Sequence, residues 1–226
     1  MNNIDKIKQK NYLGKRSFYL LPNILTTSSL FAGFYSIVQA MNGSYDHAAL
    51  AIFIALILDG LDGRVARLTN TQSSFGAEYD SLSDMVSFGV APGLIVYVWA
   101  LQPLEKLGWI AAFIYCTCAA FRLARFNVKL DIDNKQFFFG LPSPAAAALI
   151  ASFIWISYDN GISGNEIFLG FFQMQWFAFL LTIFAALSMV TDLRYYSGKD
   201  INLRNSQPFI AILFIVIIFG LISHNP

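Results

Sequence analysis

Charge is what this sequence most lacks. Only 13% of its 226 residues are Asp, Glu, Lys or Arg, about half the usual quarter, which leaves too little charge to clothe a water-facing surface. A soluble enzyme, a disordered chain and a coiled coil are thereby excluded. The signs also balance, at a formal net charge of +1, so there is no global basic field and no nucleic-acid partner is expected. Cysteine is nearly absent. Cys116 and Cys118 stand two apart inside the apolar run from Trp109 to Phe121, where helical side chains at that spacing face different sides, so a disulfide framework is excluded. With no histidine beside them they make a poor metal site and read as packing residues. The two histidines, His47 and His224, fall at span ends remote from the acids described below, so neither is a candidate base.

What is abundant is apolar: 56% of the chain is hydrophobic, 22 residues are Phe, and the mean hydropathy is +0.54. The pattern predicts an all-α integral membrane protein. Apolar runs near 18–40, 46–67, 75–101, 107–127, 142–158, 167–190 and 207–223 are each long enough to cross about 30 Å of hydrocarbon as a helix. The first is not expected to be a cleavable signal, because polar residues dominate 1–11 and no small-residue cleavage site follows the run. Lys and Arg fall almost wholly on one side of these spans. Lys6, Lys8, Lys10, Lys15 and Arg16 precede the first; Arg64 and Arg67 lie between the second and third. Arg122, Arg125, Lys129 and Lys135 follow the fourth, and Arg194, Lys199 and Arg204 follow the sixth, against Lys106 alone on the other side. That distribution predicts a cytoplasmic N-terminus in the cytoplasmic membrane. The expected organisation is a basic cytoplasmic segment (1–17), a transmembrane domain (18–192), and a cytoplasmic loop with a last transmembrane helix (193–226).

The connection between the second and third spans is not passive anchor. It reads LDGLDGRVARLTNTQSSFGAEYDSLSDMVSFG, with Asp59, Asp62, Asp80 and Asp84 beside apolar helix. At 1.5 Å per residue, Asp59 lies roughly 20 Å along the second span, still inside the inner leaflet, where an uncompensated charge costs several kcal/mol. At about 100° per residue, Asp59, Asp62, Gly63, Ala66 and Arg67 share one face of a helix, while Gly76, Asp80 and Asp84 form a four-residue stripe on the next. Four acids against two arginines do not neutralise one another. One or two divalent cations would balance them, and hard oxygen ligands suit Mg²⁺ or Mn²⁺ better than zinc. Gly63, Ala66 and Gly76 remove bulk beside the acids, which lets a flat or phosphate-bearing ligand approach the backbone. Small residues and helix-end acids are ordinary features taken singly. The eight identities together would match by chance on the order of 10⁻⁹ to 10⁻¹⁰ per starting position.

Asp59-x-x-Asp62-Gly63-x-x-Ala66-Arg67, then eight residues, then Gly76-x-x-x-Asp80-x-x-x-Asp84 resembles the complete signature of the CDP-alcohol phosphotransferases, with no departure in identity or spacing. The resemblance implies a core of six transmembrane helices, here with an additional C-terminal one, in a homodimer. It implies a reaction in which an alcohol displaces CMP from a CDP-linked lipid. Asp59, Asp62 and Asp80 would hold two metal ions, and Asp84 would ligate or border a metal while acting as base. Gly63, Ala66, Arg67 and Gly76 would line the cytidine diphosphate site.

Outside the signature, four segments resemble the branch of that family that transfers from CDP-diacylglycerol to L-serine: Leu21-Pro22-Asn23-Ile24-Leu25-Thr26, Ser83 to Pro92, Arg122-Leu123-Ala124-Arg125-Phe126-Asn127, and Phe139 to Ala145. Each has two readings. Arg122 and Arg125 are either topogenic charges at a helix end or, with Asn127, the captors of a serine carboxylate or lipid phosphate, which a guanidinium grips through two hydrogen bonds. Asn23 and Thr26 either cap the first span after Pro22 or reach the diphosphate. The two prolines near 141–144 predict a helix start, and Pro92 predicts a kink in the third span. A different acceptor, such as glycerol phosphate, would keep the same signature. A cation transporter would need polar groups continuing across the membrane, and the outer halves of spans two and three are uninterrupted apolar sequence.

Overall fold

In a computed structural model, described for residues 3–129, 137–162, 164, 167–168, 172–191 and 194–196, the first apolar run is the second half of a longer helix, α1 (Asn3–Met41). Pro22 lies inside it, so Asn23 and Thr26 are interior residues and cap nothing. The backbone is already helical before the proline, and membrane helices tolerate the lost donor when neighbouring groups satisfy the carbonyl it frees.

After a tight turn with Gly43 at φ +78°, α2 (Tyr45–Leu68) returns antiparallel to α1. Two buried hydroxyls stitch the pair together. Ser29 Oγ donates to the Ala55 carbonyl at 3.0 Å, and Ser36 Oγ to the Ala48 carbonyl at 2.5 Å. The steps are seven residues on both helices, and buried Ala48, Ala51 and Ala55 let the backbones approach. By length and composition Leu21–Met41, Ser74–Leu104 and Lys106–Val128 are apolar enough to cross a membrane, and Met174–Val190 is a shorter apolar helix. The 24 residues of α2 are long enough as well, but Asp59, Asp62, Arg64 and Arg67 interrupt its apolarity.

The third span is a composite. α3 (Ser74–Asp84) passes through a π-helical turn (Met85–Val90) into α4 (Ala91–Val96), a second π-turn (Tyr97–Leu101) and a short 3₁₀ turn (Gln102–Leu104). The perturbation expected of Pro92 thus appears as widened turns on both sides of α4. Pro92 has no N–H for the carbonyl four residues back, at Phe88. Fully buried Tyr115 supplies a donor instead, its hydroxyl lying 3.0 Å from that oxygen. The first π-turn presses on α1. A Cβ at Gly33 would lie 2.4 Å from Ser87 Oγ and 2.6 Å from Ser87 Cα, and Ser87 Oγ donates to the Ser29 carbonyl at 3.1 Å.

α5 (Lys106–Lys129), which carries Tyr115, packs on α7 (Met174–Val190), and α6 (Ser143–Asp159) packs on α2. α6 begins at the two prolines, as the sequence predicts. The span expected from 167 starts later, at Met174, because Ile167–Phe168 (β2) pairs antiparallel with Phe172–Gln173 (β3). Apolar residues serve a hairpin as well as a helix, so hydropathy alone misses this start. A second pairing, of β1 (Phe137–Phe139) with β4 (Arg194–Tyr196), joins the connection after α5 to the segment after α7 at one end of the bundle. Beside it Gly140 sits at φ +79°, where a Cβ would meet the Met189 carbonyl oxygen at 2.3 Å. The architecture is otherwise all-α, with a core of Ile52, Phe88, Ile95, Ile150 and Ile154 among alanines. Ile24, Phe31, Phe34, Ile57, Phe113, Phe121 and Phe184 are exposed, a surface suited to lipid. This is a membrane protein. The seventh expected span, with Lys135, Lys199, Arg204 and His224, lies outside the described residues.

Candidate active site

The site begins at the turn between α2 and α3. Asn70 takes the left-handed conformation, φ +52°, which Asn tolerates better than most residues. Its N–H reaches the Arg67 carbonyl at 3.4 Å and the Thr71 N–H reaches the Ala66 carbonyl at 3.0 Å, the paired bonds of a Schellman helix end. Two residues on, Ser73 is extended and its Oγ accepts from the Gly76 N–H at 3.0 Å, a helix N-cap. A helix stop and a helix start within a few residues fold the chain back on itself, so the acidic face of α2 meets the acidic stripe of α3.

The meeting is close. Asp59, Asp62 and Asp80 each offer a carboxylate oxygen, and these atoms lie within 4.8 Å of one another. Asp84 joins the group through contact with the Asp59 carboxyl. Asp62 is buried and the other three are half-buried. Asp80 Oδ1 and Asp84 Oδ1 are buried without a hydrogen-bond partner. Clustered buried carboxylates with orphaned oxygens are what a hard divalent cation requires. Asp59, Asp62 and Asp80 fit a metal site of the kind the sequence implies, with Asp84 bordering it.

Beside them opens a cleft of about 410 Å³ between α1, α2, α3 and the end of α5. Asn23, Thr26, Gly63, Ala66, Arg67 and Gly76, the six residues singled out for a nucleotide-lipid site, all line it, together with Asp62, Asp80 and Asn127. Gly63 leaves open space, since a Cβ there would meet nothing nearer than the Arg67 guanidinium at 3.7 Å. Thr26 is deeply buried and its hydroxyl donates to Asp62 Oδ2 at 2.6 Å. Asn127 reaches the cleft by exchanging hydrogen bonds with Ser81 Oγ at 3.1 and 3.2 Å.

Other acceptor-site candidates are arranged differently. Arg122 and Arg125 do not line the cleft. Arg122 lies near enough to Asp84 to feel its charge. One of its nitrogens donates to buried Ser143 Oγ at the start of α6, 3.1 Å away, and its Nε is buried without a partner. Arg125 is half-buried on the same helix. His47 pairs with Asp46 at the opposite end of α2 from the acids, and the two cysteines are free and half-buried. Sequence reasoning passed over Thr71, Gln72, Ser73, Ala77 and Ser81, which also line the cleft, and gave Pro22 and Phe126 no role in it. Ser73 carried a usable signal as a helix cap just before Gly76. Ser81 carried none, since only the packing of α5 against α3 brings it to Asn127.

Residues 19–187 match the family model described as CDP-alcohol phosphatidyltransferase. Among curated proteins, the chain is 37% identical over 206 residues to a CDP-diacylglycerol–serine O-phosphatidyltransferase of Helicobacter pylori strain J99, covering 89% of this chain and 82% of that one. It is 32% identical over 204 residues to the protein of that name from Mycobacterium leprae, covering 88% of this chain and 64% of that one. An archaetidylserine synthase of Methanothermobacter thermautotrophicus is 37% identical over 149 residues, 65% of this chain and 63% of that one.

Proposed function

The chain belongs to the CDP-alcohol phosphatidyltransferase family, and on that premise we propose that it transfers the phosphatidyl group of CDP-diacylglycerol to the hydroxyl of L-serine, releasing CMP. The observation that carries this reading is the set of carboxylates within 4.8 Å of one another beside the cleft, in a chain whose relatives are named for serine transfer.

In this reading Asp59, Asp62 and Asp80 would hold two divalent ions, Mg²⁺ or Mn²⁺, with Asp84 at their border, and the ions would neutralise the diphosphate and stabilise the departing charge. The remaining work belongs to side chains. Gly63, Ala66, Arg67, Gly76 and Asn23 receive the cytidine diphosphate, while the acyl chains stay in lipid. Arg122, Arg125 and Asn127 take the serine carboxylate. Asp84 accepts the proton of the serine hydroxyl as that oxygen bonds to the phosphatidyl phosphorus, and the phosphorus–oxygen bond to CMP breaks with its electron pair on the nucleotide. The orphaned Asp84 Oδ1 and the nearby Arg122 support placing acceptor and base on that side. The protein would work as a homodimer in the cytoplasmic membrane, with its N-terminus and acids facing the cytosol, as the one-sided distribution of Lys and Arg supports.

The test is CMP release by purified protein in detergent with CDP-diacylglycerol and Mg²⁺ or Mn²⁺, comparing L-serine, glycerol 3-phosphate, inositol phosphate and no acceptor. Serine-dependent release is expected. Release with another acceptor would keep the chemistry and change the acceptor. No metal-dependent release with any of them would return attention to ion transport, a reading weakened by the alanines and isoleucine buried above Asp59 on α2.

A further inference from the structure

We propose that Thr26 is a positioning residue: its hydroxyl fixes the Asp62 carboxylate, and its backbone fixes α3, so that the two acidic helices meet in register around a divalent cation. The inference rests on the metal-site reading above and deepens it.

Thr26 and Asp62 are each only 4% exposed. Thr26 Oγ1 lies 2.6 Å from Asp62 Oδ2 and 3.1 Å from the Pro22 carbonyl oxygen of its own helix. A hydroxyl carries one proton, and the short contact to an ionised acceptor takes it. That proton is therefore committed to Asp62 and is not free for a diphosphate oxygen. The same residue also holds the other acidic helix. Ser83 Oγ, 2% exposed, donates to the Thr26 carbonyl oxygen at 3.1 Å, and Ser83 immediately precedes Asp84. One α1 residue thus touches the carboxylate of one acidic helix and the backbone neighbour of the carboxylate on the other. With Asp62 Oδ2 engaged, a defined lone-pair direction remains for a cation, and the rotamer freedom the carboxylate would otherwise lose on binding is already gone.

The experiment is Mn²⁺ titration by electron paramagnetic resonance on the full-length protein in detergent, with wild type, Asp62→Asn, Thr26→Val and Thr26→Ser. Val matches the shape of Thr without the donor, and its Mn²⁺ affinity is expected to fall about 10- to 100-fold, whereas Thr26→Ser stays close to wild type. CMP release by Thr26→Val should recover as Mn²⁺ is raised, with the KM for CDP-diacylglycerol unchanged once metal saturates. Thr26→Cys, similar in size and a weak donor, carries the same test if Val yields no folded protein. Wild-type Mn²⁺ affinity in the Val or Cys variant, or a raised lipid KM at saturating Mn²⁺, overturns the positioning role alone. A wild-type protein that binds no Mn²⁺, or whose binding ignores Asp62→Asn, overturns the metal reading and this inference with it.

Discussion

Replacing Asp84 by asparagine isolates the step assigned to it. The residue ends the α3 stripe, touches Asp59, and presents an Oδ1 that no hydrogen bond occupies. Asparagine has nearly the same shape, so α3 and the π-turn after it should pack unchanged, but an amide cannot accept the proton of an attacking hydroxyl. A positioned general base is worth about 10²- to 10⁴-fold in rate, which corresponds to about 2.7–5.4 kcal/mol of barrier. Turnover should fall by that factor at saturating serine and metal. CDP-diacylglycerol binding should stay near the wild-type value, because Asp84 is not among the residues lining the cleft. The assay is single-turnover CMP release, with nucleotide-lipid binding measured on the same preparation. A rate within about tenfold of wild type would refute the base assignment. A rate loss matched by an equal loss of binding would move Asp84 from the chemistry to the nucleotide site.

Arg122→Ala removes the guanidinium beside Asp84 and should raise the serine KM about 10- to 100-fold, the size of one charge-assisted hydrogen bond lost; an unchanged serine dependence would return this arginine to the topogenic reading. Gly33→Ala forces a methyl against the Ser87 backbone at 2.6 Å, which cannot swing aside, so a loss of about 1–3 kcal/mol is expected from unfolding in detergent, and a neutral result would mean that α1 and the π-turn do not pack this tightly. Tyr115→Phe strips the donor from the Phe88 carbonyl that Pro92 cannot serve, at an expected cost of about 1–3 kcal/mol, read as a lowered unfolding midpoint; an unchanged midpoint would show that another donor satisfies that oxygen.

Much of the site was legible because its chemistry is local. Asp59, Asp62, Gly63, Ala66 and Arg67 share a face by helical periodicity alone, as do Gly76, Asp80 and Asp84, and a charge set in apolar helix needs a partner wherever it occurs. The same reasoning left Thr26 between a helix cap and a cleft residue, and only the cap is overturned. A polar residue after a proline resembles a helix start when only neighbours in sequence are visible, and nothing in the chain announces that α1 is helical before Pro22 or that Asp62 waits across the groove. The late start of α7 was hidden for a related reason: Ile167 and Phe168 are as apolar in a hairpin as in a helix.

The sequence by itself determined that the chain lives in lipid and that two carboxylate stripes flank a short turn, since hydropathy and a period of 3.6 residues act over a single segment. Tertiary structure decided which side chains meet across segments. It set the hydroxyl of Thr26 on Asp62, the amide of Asn127 on Ser81 and the guanidinium of Arg122 on Ser143. Such contacts depend on helix rotation and crossing distance, which small residues such as Gly33 and Ala55 permit. Periodicity within one helix carries no information about its rotation against another.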